Sequence, residues 1–527
     1  MYQEEITLGR FGGVIALFLL LVLLTQNVAA QELSTQKAER VDYASILSQL
    51  DISEMRQTML GIWRQGLNPK SYWTERMEGY FVRGGNIEYN LRSLANQAYL
   101  QMLKDLYLGS VDPQSVGRDV KLIRKPFLTP KELMPMLLAA GRESRTFMES
   151  LAPKNAPYLS VREAFVKIYP ACRDGVWQNI TPLDKPLRLF MRHPAIELIK
   201  KRLSLLGYYF TTQDDLFDGD LLNAVSDVQW NLRIKPDGEI SPNGKVWGFL
   251  NVSCNERLQQ MQADMEKMRW FPQYFEKRYV FVNLAMSYFI LVDKSYDEPR
   301  YISFRTVNGR VARKSPTMID EVQKVIINPY WTVPPTIFSE DKVEDLKNLT
   351  KPEIIEYFTS HKYEVWDGGF RKRIDPTTIN WLAISEGRIT PDIHIRQLPH
   401  LGNALGVLKF DLTNSFSIYL HDTNQRELFN EPMRQLSSGC IRLERPLDLA
   451  EFLLEDTPWD RATIESVFAR PGEVILKSTE LPVPKSHQTA IYTAYLTSSL
   501  SSDGVVRFVD DLYGQNAAIK RYLRALF

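Results

Sequence analysis

Cysteine is scarce in this chain, since its 527 residues contain only three, at positions 172, 254 and 440. Three thiols cannot build a disulfide framework, and none of them has the close spacing of a CxxC metal or redox site. One thiol must also stay unpaired unless it pairs with another chain. The sequence therefore excludes a disulfide-rich scaffold and a cysteine-rich metal site, and it leaves an odd thiol to explain.

An excess of either charge is also missing, because the formal net charge is +1. A nucleic-acid-binding protein normally carries a basic excess, so this class is disfavoured. Hydrophobic residues make up 44% and charged residues 24%, which is an ordinary globular composition. It excludes disorder throughout and a collagen-like chain, and it disfavours a multi-span membrane protein. At roughly 150 residues per domain, the length predicts about three or four domains.

One strongly apolar run stands near the N-terminus, from Phe11 to Leu24, and it is short for a membrane span. It fits the hydrophobic region of a signal peptide, and Val28–Ala30 resembles a cleavage site. We therefore expect residues 1–30 to be a signal peptide. An uncleaved membrane anchor is the alternative, because no charge occurs between Phe11 and Gln31.

Both interpretations imply that the rest of the chain is exported to an oxidising compartment. Exposed thiols tend to form disulfides in such a compartment. Cys172 and Cys254 can pair with each other, which leaves Cys440 unpaired. An unpaired thiol in such a compartment suggests a reactive role for Cys440.

The predicted fold class is α+β with several domains. Helical spacing predicts a scaffold over residues 40–190, a compact unit of three short helices over 193–251, and a further helix over 252–275 whose methionines pack in a core. From residue 278 to 527 the period changes to that of strands, which predicts a mostly β domain. A helical lobe is inserted into it at about 340–398.

Several local signals predict individual elements. Asn308-Gly309 and Asp503-Gly504 each predict a hairpin turn, and Ser415–Leu420 is predicted as a strand. Ser241-Pro242 predicts the start of the third short helix, and Thr350 with Glu353 predicts a capping box.

One segment combines a nucleophile, a base and a tight loop. Cys440 follows Ser437–Gly439, and a turn at the glycine can bring backbone N–H groups near the thiol to stabilise an oxyanion. His421, upstream at the end of a strand, can take the thiol proton as a neutral imidazole. Asp422 or a nearby backbone carbonyl can orient the ring. Arg442 shares the face of Cys440 if the chain is extended there, where it can hold a substrate carboxylate.

The bland alternative is that Cys440 is a buried apolar residue, as most free cysteines are. The residues themselves argue against it. His421-Asp422-Thr423 followed by Ser437–Arg442 resembles the active-site signature of the L,D-transpeptidases, the YkuD-type fold. Ile327–Pro335 and Gly402–Phe410 resemble two stretches of the long Gram-negative branch of that family, and residues 193–251 resemble a peptidoglycan-binding domain.

Two positions depart from the family pattern. Ser438 stands where much of the wider superfamily has His, although the long branch often has Ser. His400 and Leu401 stand where a Pro-Gly pair is more usual, which puts the shape of that loop in doubt.

The resemblance implies a mechanism and a set of site residues. Cys440 would be the nucleophile and His421 the general base, Ser437, Ser438 and Gly439 would form the oxyanion loop, and Asp422 would orient the base. The expected substrate-binding residues are Arg442, Tyr419, Asn403 and Trp331, the last two as parts of the pocket wall. Neither a metal nor an organic cofactor is implied.

The implied partners are peptidoglycan stem peptides, namely a donor tetrapeptide and the amine of an acceptor stem, joined by a 3→3 cross-link. Carbapenem β-lactams are the expected inhibitors, and the expected location is the periplasm. Only the N-terminal segment would touch a membrane, and only if it is not cleaved. Three alternatives stay open: an L,D-carboxypeptidase or hydrolase of the same fold, a non-catalytic wall-binding scaffold, and a membrane-anchored structural protein.

Overall fold

The structure, a computed structural model, describes residues 42–83 and 88–526. The predicted signal peptide and its cleavage site lie outside the described residues. Two compact units divide the chain. The first contains the described residues up to Gly61 together with Pro69–Leu103 and Pro126–Leu151, and the second contains Ile62–Asn68, Lys104–Lys125 and all described residues from Ala152 onwards.

The first unit is helical. Its core consists of side chains that recur at helical spacing and are fully buried, among them Met55, Met59, Leu137 and Phe147. A capping box on Thr129 and Glu132 starts one of its helices and satisfies two otherwise unpaired N–H groups. The helices of this unit, one of which runs on into the second unit, are Tyr43–Leu47, Ile52–Gly61, Glu75–Arg83, Glu88–Leu108, Pro130–Ala139 and Ser144–Leu151.

Between residue 152 and the β region, the second unit contains five α-helices among its described residues. They are Ala156–Arg173, Pro194–Leu205, Gly219–Asn231, Lys245–Asn251 and Cys254–Arg269. The three short helices between residues 194 and 251 share one core with the two longer ones. The predicted start of the third short helix is wrong, because its N-cap is Gly244 and Ser241 instead accepts the Gly244 N–H in a preceding turn. The methionines of the last helix, Met261, Met265 and Met268, are fully buried, so the core-packing prediction for them is confirmed.

A disulfide joins Cys172, near the end of one long helix, to Cys254, the first residue of the other. Their Cα atoms are 5.5 Å apart, within the range that a disulfide requires. Cys440 is free. The pairing that the sequence left open is therefore the one between Cys172 and Cys254.

The mostly β region is built on a ten-stranded sheet. Its strands are β1 (Arg278–Asn283), β2 (Tyr288–Asp293), β3 (Arg300–Gly309), β4 (Met318–Ile327), β9 (Leu408–Leu412), β10 (Leu420–His421), β11 (Gln435–Ser437), β12 (Ile441–Leu443), β13 (Thr479–Pro482) and β14 (Ala490–Ala494). The order β3-β12-β10-β9-β4-β14-β1-β2 closes on itself, because β2 also pairs with β3. The sheet is thus barrel-like, with β11 attached to β3 and β13 attached to β4.

The described helices of this region outside the inserted lobe are Pro446–Leu453, Arg461–Ser466 and Gln515–Lys520. A separate hairpin pairs β15 (Ser498–Leu500) with β16 (Val506–Phe508), so the turn predicted at Asp503-Gly504 is confirmed. The core of the barrel collects the apolar side chains of one face of each strand, including Leu420, Ile441 and Leu443, which are fully buried. Alternation along each strand then directs the other face away from this core.

The inserted lobe is only partly helical. It contains the helices Pro335–Ile337, Val343–Leu346, Lys351–Ser360 and Trp381–Ser385, the π-helix Phe338–Lys342, and a four-stranded sheet in the order β5-β8-β6-β7. These strands are β5 (Trp331–Thr332), β6 (Tyr363–Asp367), β7 (Arg373–Ile374) and β8 (Ile393–Gln397). The expectation of a helical lobe missed this sheet, whose short strands pair across long stretches of sequence. The capping box at Thr350 and Glu353 is confirmed.

The hairpin predicted at Asn308-Gly309 is wrong, because both residues belong to β3 and are paired with β11. The Asn308 side chain is buried and donates to the carbonyl of Leu284 and the hydroxyl of Ser287, so it fixes tertiary structure and does not form a turn.

The strand predicted at Ser415–Leu420 is also wrong except for its last residue. Asn414 closes a loop there, because its side chain donates to the carbonyl of Ile418 and accepts the Ile418 N–H. Side-chain hydrogen bonds of this kind compete with a strand ladder for the same backbone groups.

Among the described residues, no helix is long and apolar enough to span a membrane.

The disulfide generates the first prediction. Replacing Cys172 by Ala should lower the free energy of unfolding of the second unit by about 2–5 kcal/mol, because a cross-link over a sequence separation of 82 residues restricts the unfolded chain. Urea unfolding followed by tryptophan fluorescence measures the change. Cys440→Ala is the matched control, since it also removes one sulfur and should leave the midpoint near that of the wild type. Equal midpoints for all three proteins would contradict the prediction.

Candidate active site

A cleft of about 890 Å³ opens between the barrel and the inserted lobe, and Cys440 lies on its wall. The barrel contributes residues of β9, β10 and the β11–β12 loop, and the lobe contributes the segment from Tyr330 to Lys342 together with His394. Both parts belong to the second compact unit.

The pairing of β10 with β12 brings the chemical groups together. The two strands are parallel, with Leu420 opposite Ile441 and His421 opposite Arg442. Because Leu420 and Ile441 point into the barrel core, their neighbours in sequence point into the cleft. Tyr419 and His421 from one strand therefore share a face with Cys440 and Arg442 from the next.

The imidazole of His421 is held by backbone. Its Nδ1 lies 2.5 Å from the carbonyl oxygen of Asp422, and a carbonyl only accepts, so Nδ1 carries the proton. In the neutral ring this leaves Nε2 as a free acceptor. Residue 422 thus orients the ring, as predicted for this position, but through its carbonyl group, which was one of the two alternatives.

The Asp422 carboxylate has other partners. It accepts the N–H of Val407 at 3.1 Å and a guanidinium N–H of Arg426 at 2.5 Å. Gly406, with φ +61°, allows this approach, because a Cβ there would lie 2.3 Å from the Asp422 carboxylate. A side chain at position 406 would push Asp422, and with it the carbonyl that holds His421, out of place.

The side chains of Cys440 and His421 are both uncharged near neutral pH. The pKa of His421 is lowered to about 3, first by burial of the ring and then by the positive charges of Arg442 and Lys409. Burial also raises the pKa of the Cys440 thiol, against the opposing influence of hydrogen bonds from Tyr419 and of the same two cations. Cys440 is therefore a protonated thiol and His421 a neutral imidazole, and both line the same cleft.

Tyr419 interacts with the thiol and with Trp331, because hydrogen bonding with each of these side chains shifts the pKa of its hydroxyl. Burial and the negative charge of a Cys440 thiolate raise the pKa of Tyr419 well above its ordinary value, so the phenol stays a donor. The thiol also lies 3.8 Å from the carbonyl oxygen of Ser417. Trp331 lines the cleft, as its predicted wall position requires.

The loop before Cys440 is fixed by hydroxyl groups. Ser437 donates to the Cys440 carbonyl at 2.6 Å, and its Oγ accepts the Gly439 N–H at 3.2 Å. Ser315 donates to the Gly439 carbonyl at 2.7 Å. Gly439 has φ +116°, a conformation that side chains disfavour. The Gly439 amide is consequently occupied, which corrects the expectation that it is free for an oxyanion.

Two cations stand on either side of His421 in the sheet. Arg442 is its neighbour on β12, and Lys409 is its neighbour on β9. Arg442 donates to the Gln425 side chain at 2.7 Å, and within residues 42–83 and 88–526 it has no carboxylate within 4.0 Å. Lys409 pairs with Asp411 at 2.6 Å and lies 4.4 Å from the centre of the Tyr419 ring.

Asn403 does not itself line the cleft, but it holds Leu405, which does, so its predicted part in shaping the wall stays a prediction. It is fully buried, and its amide group donates to the carbonyls of Pro329 and Leu398 and accepts the Leu405 N–H. Its role in the structure is to tie the loop before β9 to the end of β4.

Lys409, Arg313 and Ser315 line or support the site without having been predicted. Lys409 was recognisable, because it alternates with the buried Leu408 and Phe410 and so must face away from the core. No local signal marks Arg313 or Ser315 as part of the site, since the loop residues that they contact, Ser438 and Gly439, lie more than a hundred residues away in sequence.

Potential metal ligands do not gather in the described part of the chain, where no group of three or more His, Cys, Asp or Glu is positioned to hold an ion.

The backbone-held imidazole generates the second prediction. Nitrogen-detected NMR should find His421 as the neutral, Nδ1-protonated tautomer throughout the range from about pH 5 to pH 8, because its pKa of about 3 lies below the ordinary value of 6.5. The neutral ring stabilises the fold above pH 6.5, and this contribution is lost as the pH falls from 6.5 toward 3. A His421→Gln sample identifies the signals. A titration midpoint near 6.5 would contradict the prediction.

Comparison with known proteins gives three family matches. Residues 277–464 match the YkuD model, described as an L,D-transpeptidase catalytic domain. Residues 43–165 match a model described as a scaffold domain, and residues 192–243 match one described as "Putative peptidoglycan binding domain".

A protein of Haemophilus influenzae described as "Putative L,D-transpeptidase" is 30% identical over 272 residues, which are 51% of this chain and 51% of the relative. The chain thus matches about half the length of that relative. Two solved structures are also similar. One is an L,D-transpeptidase from Xylanimonas cellulosilytica, with 11% identity, a TM-score of 0.17 and coverage of 60% of this chain and 100% of that one. The other is Bd1075 from Bdellovibrio bacteriovorus, with 12% identity, a TM-score of 0.16 and coverage of 47% and 56%. These TM-scores are too low to inform the fold.

The sequence motif around Cys440, the barrel that presents it and the matched family models agree. The chain therefore contains an L,D-transpeptidase catalytic domain of the YkuD family, preceded by a scaffold domain and a peptidoglycan-binding domain.

Proposed function

We propose that the protein is a peptidoglycan L,D-transpeptidase in which Cys440 forms a thioester with a donor stem peptide and passes it to the amine of an acceptor stem. One observation carries the proposal: His421 is a neutral base with a free Nε2, and its strand lies beside the one that follows Cys440, on the same cleft-facing side. The product is a 3→3 cross-link.

The first half-reaction acylates the enzyme. His421 Nε2 takes the thiol proton as the sulfur attacks the carbonyl carbon of the third stem residue, because a raised thiol pKa requires a base during attack. The tetrahedral intermediate then collapses. The bond to the terminal D-Ala breaks, the imidazolium gives its proton to the departing amine, and a thioester remains on Cys440.

The second half-reaction transfers the stem. The side-chain amine of an acceptor attacks the thioester carbon and loses a proton to His421, and the Cys440 thiol leaves with that proton. Water in place of the amine gives L,D-carboxypeptidase activity with the same residues. The inserted lobe forms one wall of the cleft, and a wall that limits access of water favours the amine.

The oxyanion donor is the N–H of Cys440 itself. The Gly439 amide is bound to Ser437, whereas the Cys440 N–H has no hydrogen-bond acceptor among the described residues. Backbone N–H groups aimed at the developing charge are the usual source of such stabilisation. Ser437, Ser438 and Gly439 then serve to hold this N–H in place.

The cleft suits an anionic peptide. Its wall carries six basic side chains and, within the described residues, one acidic side chain, Asp341. Arg442 is the basic group without a carboxylate partner, so we assign it to a substrate carboxylate. We also assign Tyr419 and Trp331, which line the cleft with Cys440, to contacts with the donor stem. Because peptidoglycan lies outside the cytoplasmic membrane, we place the enzyme in the periplasm.

Removing the nucleophile or the base is the third prediction. Cys440→Ala should lower formation of cross-linked product by at least about 10³-fold, and His421→Gln by about 10²–10⁴-fold. Mass spectrometry of muropeptides, after incubation with tetrapeptide-bearing peptidoglycan, measures the product with and without added acceptor. A carbapenem should add its mass to the wild type and not to Cys440→Ala.

The control is the melting temperature of each variant, which should stay near that of the wild type. Full cross-linking by a folded Cys440→Ala protein would overturn the proposal. Release of D-Ala without any cross-link would identify a carboxypeptidase, and binding to peptidoglycan without either product would identify a non-catalytic wall protein.

The carboxylate of Asp422 supplies the fourth prediction. Asp422→Asn should change kcat/KM by less than about tenfold, because the carbonyl group that holds His421 is kept. By contrast, amidation of a carboxylate that orients a histidine in a Ser-His-Asp triad costs about 10⁴-fold. Initial rates of D-Ala release measure the difference, and a loss of the larger size would show that the carboxylate orients the ring during turnover.

A further inference from the structure

Apart from Cys440 and His421, one side chain of the cleft stands out by its number of hydrogen bonds. This is Arg313, whose side chain is only 9% exposed. Its guanidinium donates twice to Glu340, at 3.1 and 2.5 Å, and twice to Asp341, both at 2.8 Å. It donates once more, at 3.0 Å, to the hydroxyl of Ser438. One largely covered cation thus bonds residues that are almost a hundred positions apart in sequence.

The two ends of this contact belong to different parts of the cleft. Glu340 and Asp341 lie in the π-helix Phe338–Lys342 of the inserted lobe, and Ser438 lies in the loop that presents Cys440. Within the described residues, no other side chain has hydrogen bonds to both. π-helical turns are uncommon and occur often at functional sites.

The segment that carries Arg313 also forms hydrogen bonds with the backbone of the loop before Cys440. The Arg310 N–H donates to the Ser437 carbonyl at 2.9 Å, and Ser315 donates to the Gly439 carbonyl at 2.7 Å. Ser437, Ser438 and Gly439 are therefore each bonded to the segment 310–315. A shift of Arg313 would be felt along the whole loop.

Arginine suits this position better than lysine. The planar fork offers five N–H donors in fixed directions, so one side chain can bind two carboxylates and a hydroxyl at once. Its hydrogen bond lowers the pKa of Asp341, which keeps that carboxylate ionised. The contact between Arg313 and the two carboxylates is thus an ion pair, in which the arginine side chain is largely shielded from solvent.

We propose that Arg313 is a positioning residue that couples the inserted lobe to the nucleophile: by holding Glu340, Asp341 and Ser438 together, it sets the conformation of the Cys440 loop according to the position of the lobe. The consequence is that substrate enclosure and presentation of the thiol occur together. This inference rests on the proposed function for its kinetic part only.

The coupling is tested by hydrogen–deuterium exchange of the full-length protein, read on peptides that cover residues 436–441. Arg313→Gln should speed exchange of these amides by about tenfold or more, because it removes hydrogen bonds to charged groups. Glu340→Gln combined with Asp341→Asn should do the same, although both changes lie in the lobe. Arg313→Lys should give an intermediate rate.

The matched control is Arg373→Gln, which removes a different arginine–glutamate pair of the lobe. Arg373 lies 3.1 Å from Glu364, and its side chain does not line the cleft. It should leave exchange at 436–441 unchanged. Ser438→Ala should speed exchange, and adding Arg313→Gln to it should have a smaller effect than in the wild type, because the two changes remove the same contact.

Kinetics with a tetrapeptide donor supply the second arm. Arg313→Gln should lower kcat by about tenfold or more and change KM by less than about threefold, since a misplaced nucleophile slows the chemical step. Exchange at 436–441 that is equal in the wild type, Arg313→Gln and the lobe variant would overturn the coupling. A wild-type protein that neither releases D-Ala nor cross-links would overturn the proposed function instead, and the exchange arm would still report on the coupling.

Discussion

The parallel pairing of β10 with β12 is the constraint on which the site depends. Two short strands fix the register, with His421 level with Arg442, and the burial of Leu420 and Ile441 fixes which way the neighbouring side chains point. A slip of β10 by one residue would bury the histidine and turn Leu420 into the cleft. The orientation of the polar side chains in the site therefore depends on apolar side chains on the opposite face of the sheet. The barrel closes around these apolar side chains, so neither β10 nor β12 is an edge strand.

The second requirement is electrostatic. Burial makes the imidazole hard to protonate and the thiol hard to ionise, and two cations beside the ring strengthen the first effect while they oppose the second. A backbone carbonyl is a suitable partner for such a ring, because it fixes the tautomer without adding a negative charge that would favour the imidazolium. The carboxylate of the same residue points elsewhere, toward Val407 and Arg426.

Some features that depend on local sequence or on a family motif were predicted correctly from the sequence. Cys440, His421, Arg442 and Tyr419 converge as their spacing and the family resemblance implied, and the Asp503-Gly504 hairpin and the Thr350 capping box are present. Several of the features that the sequence did not predict depend on distant partners. Asn308 has the sequence of a turn residue, yet its amide is needed inside the barrel. Asn403 sits in a motif beside the site, yet its hydrogen bonds are all to backbone of neighbouring loops. The sheet of the inserted lobe pairs strands that are separated by helices, and no periodicity within the segment reports such pairing.

The high pKa of Cys440 also bears on how the enzyme survives. Peroxides oxidise the thiolate and leave the protonated thiol largely untouched. The two remaining cysteines are already joined to each other, so the chain has no second free thiol that could rescue an oxidised Cys440 through a disulfide. The packing that raises the pKa of Cys440 thus also favours the protonated form of its sulfur, which peroxides attack slowly, although the side chain is partly exposed in the cleft.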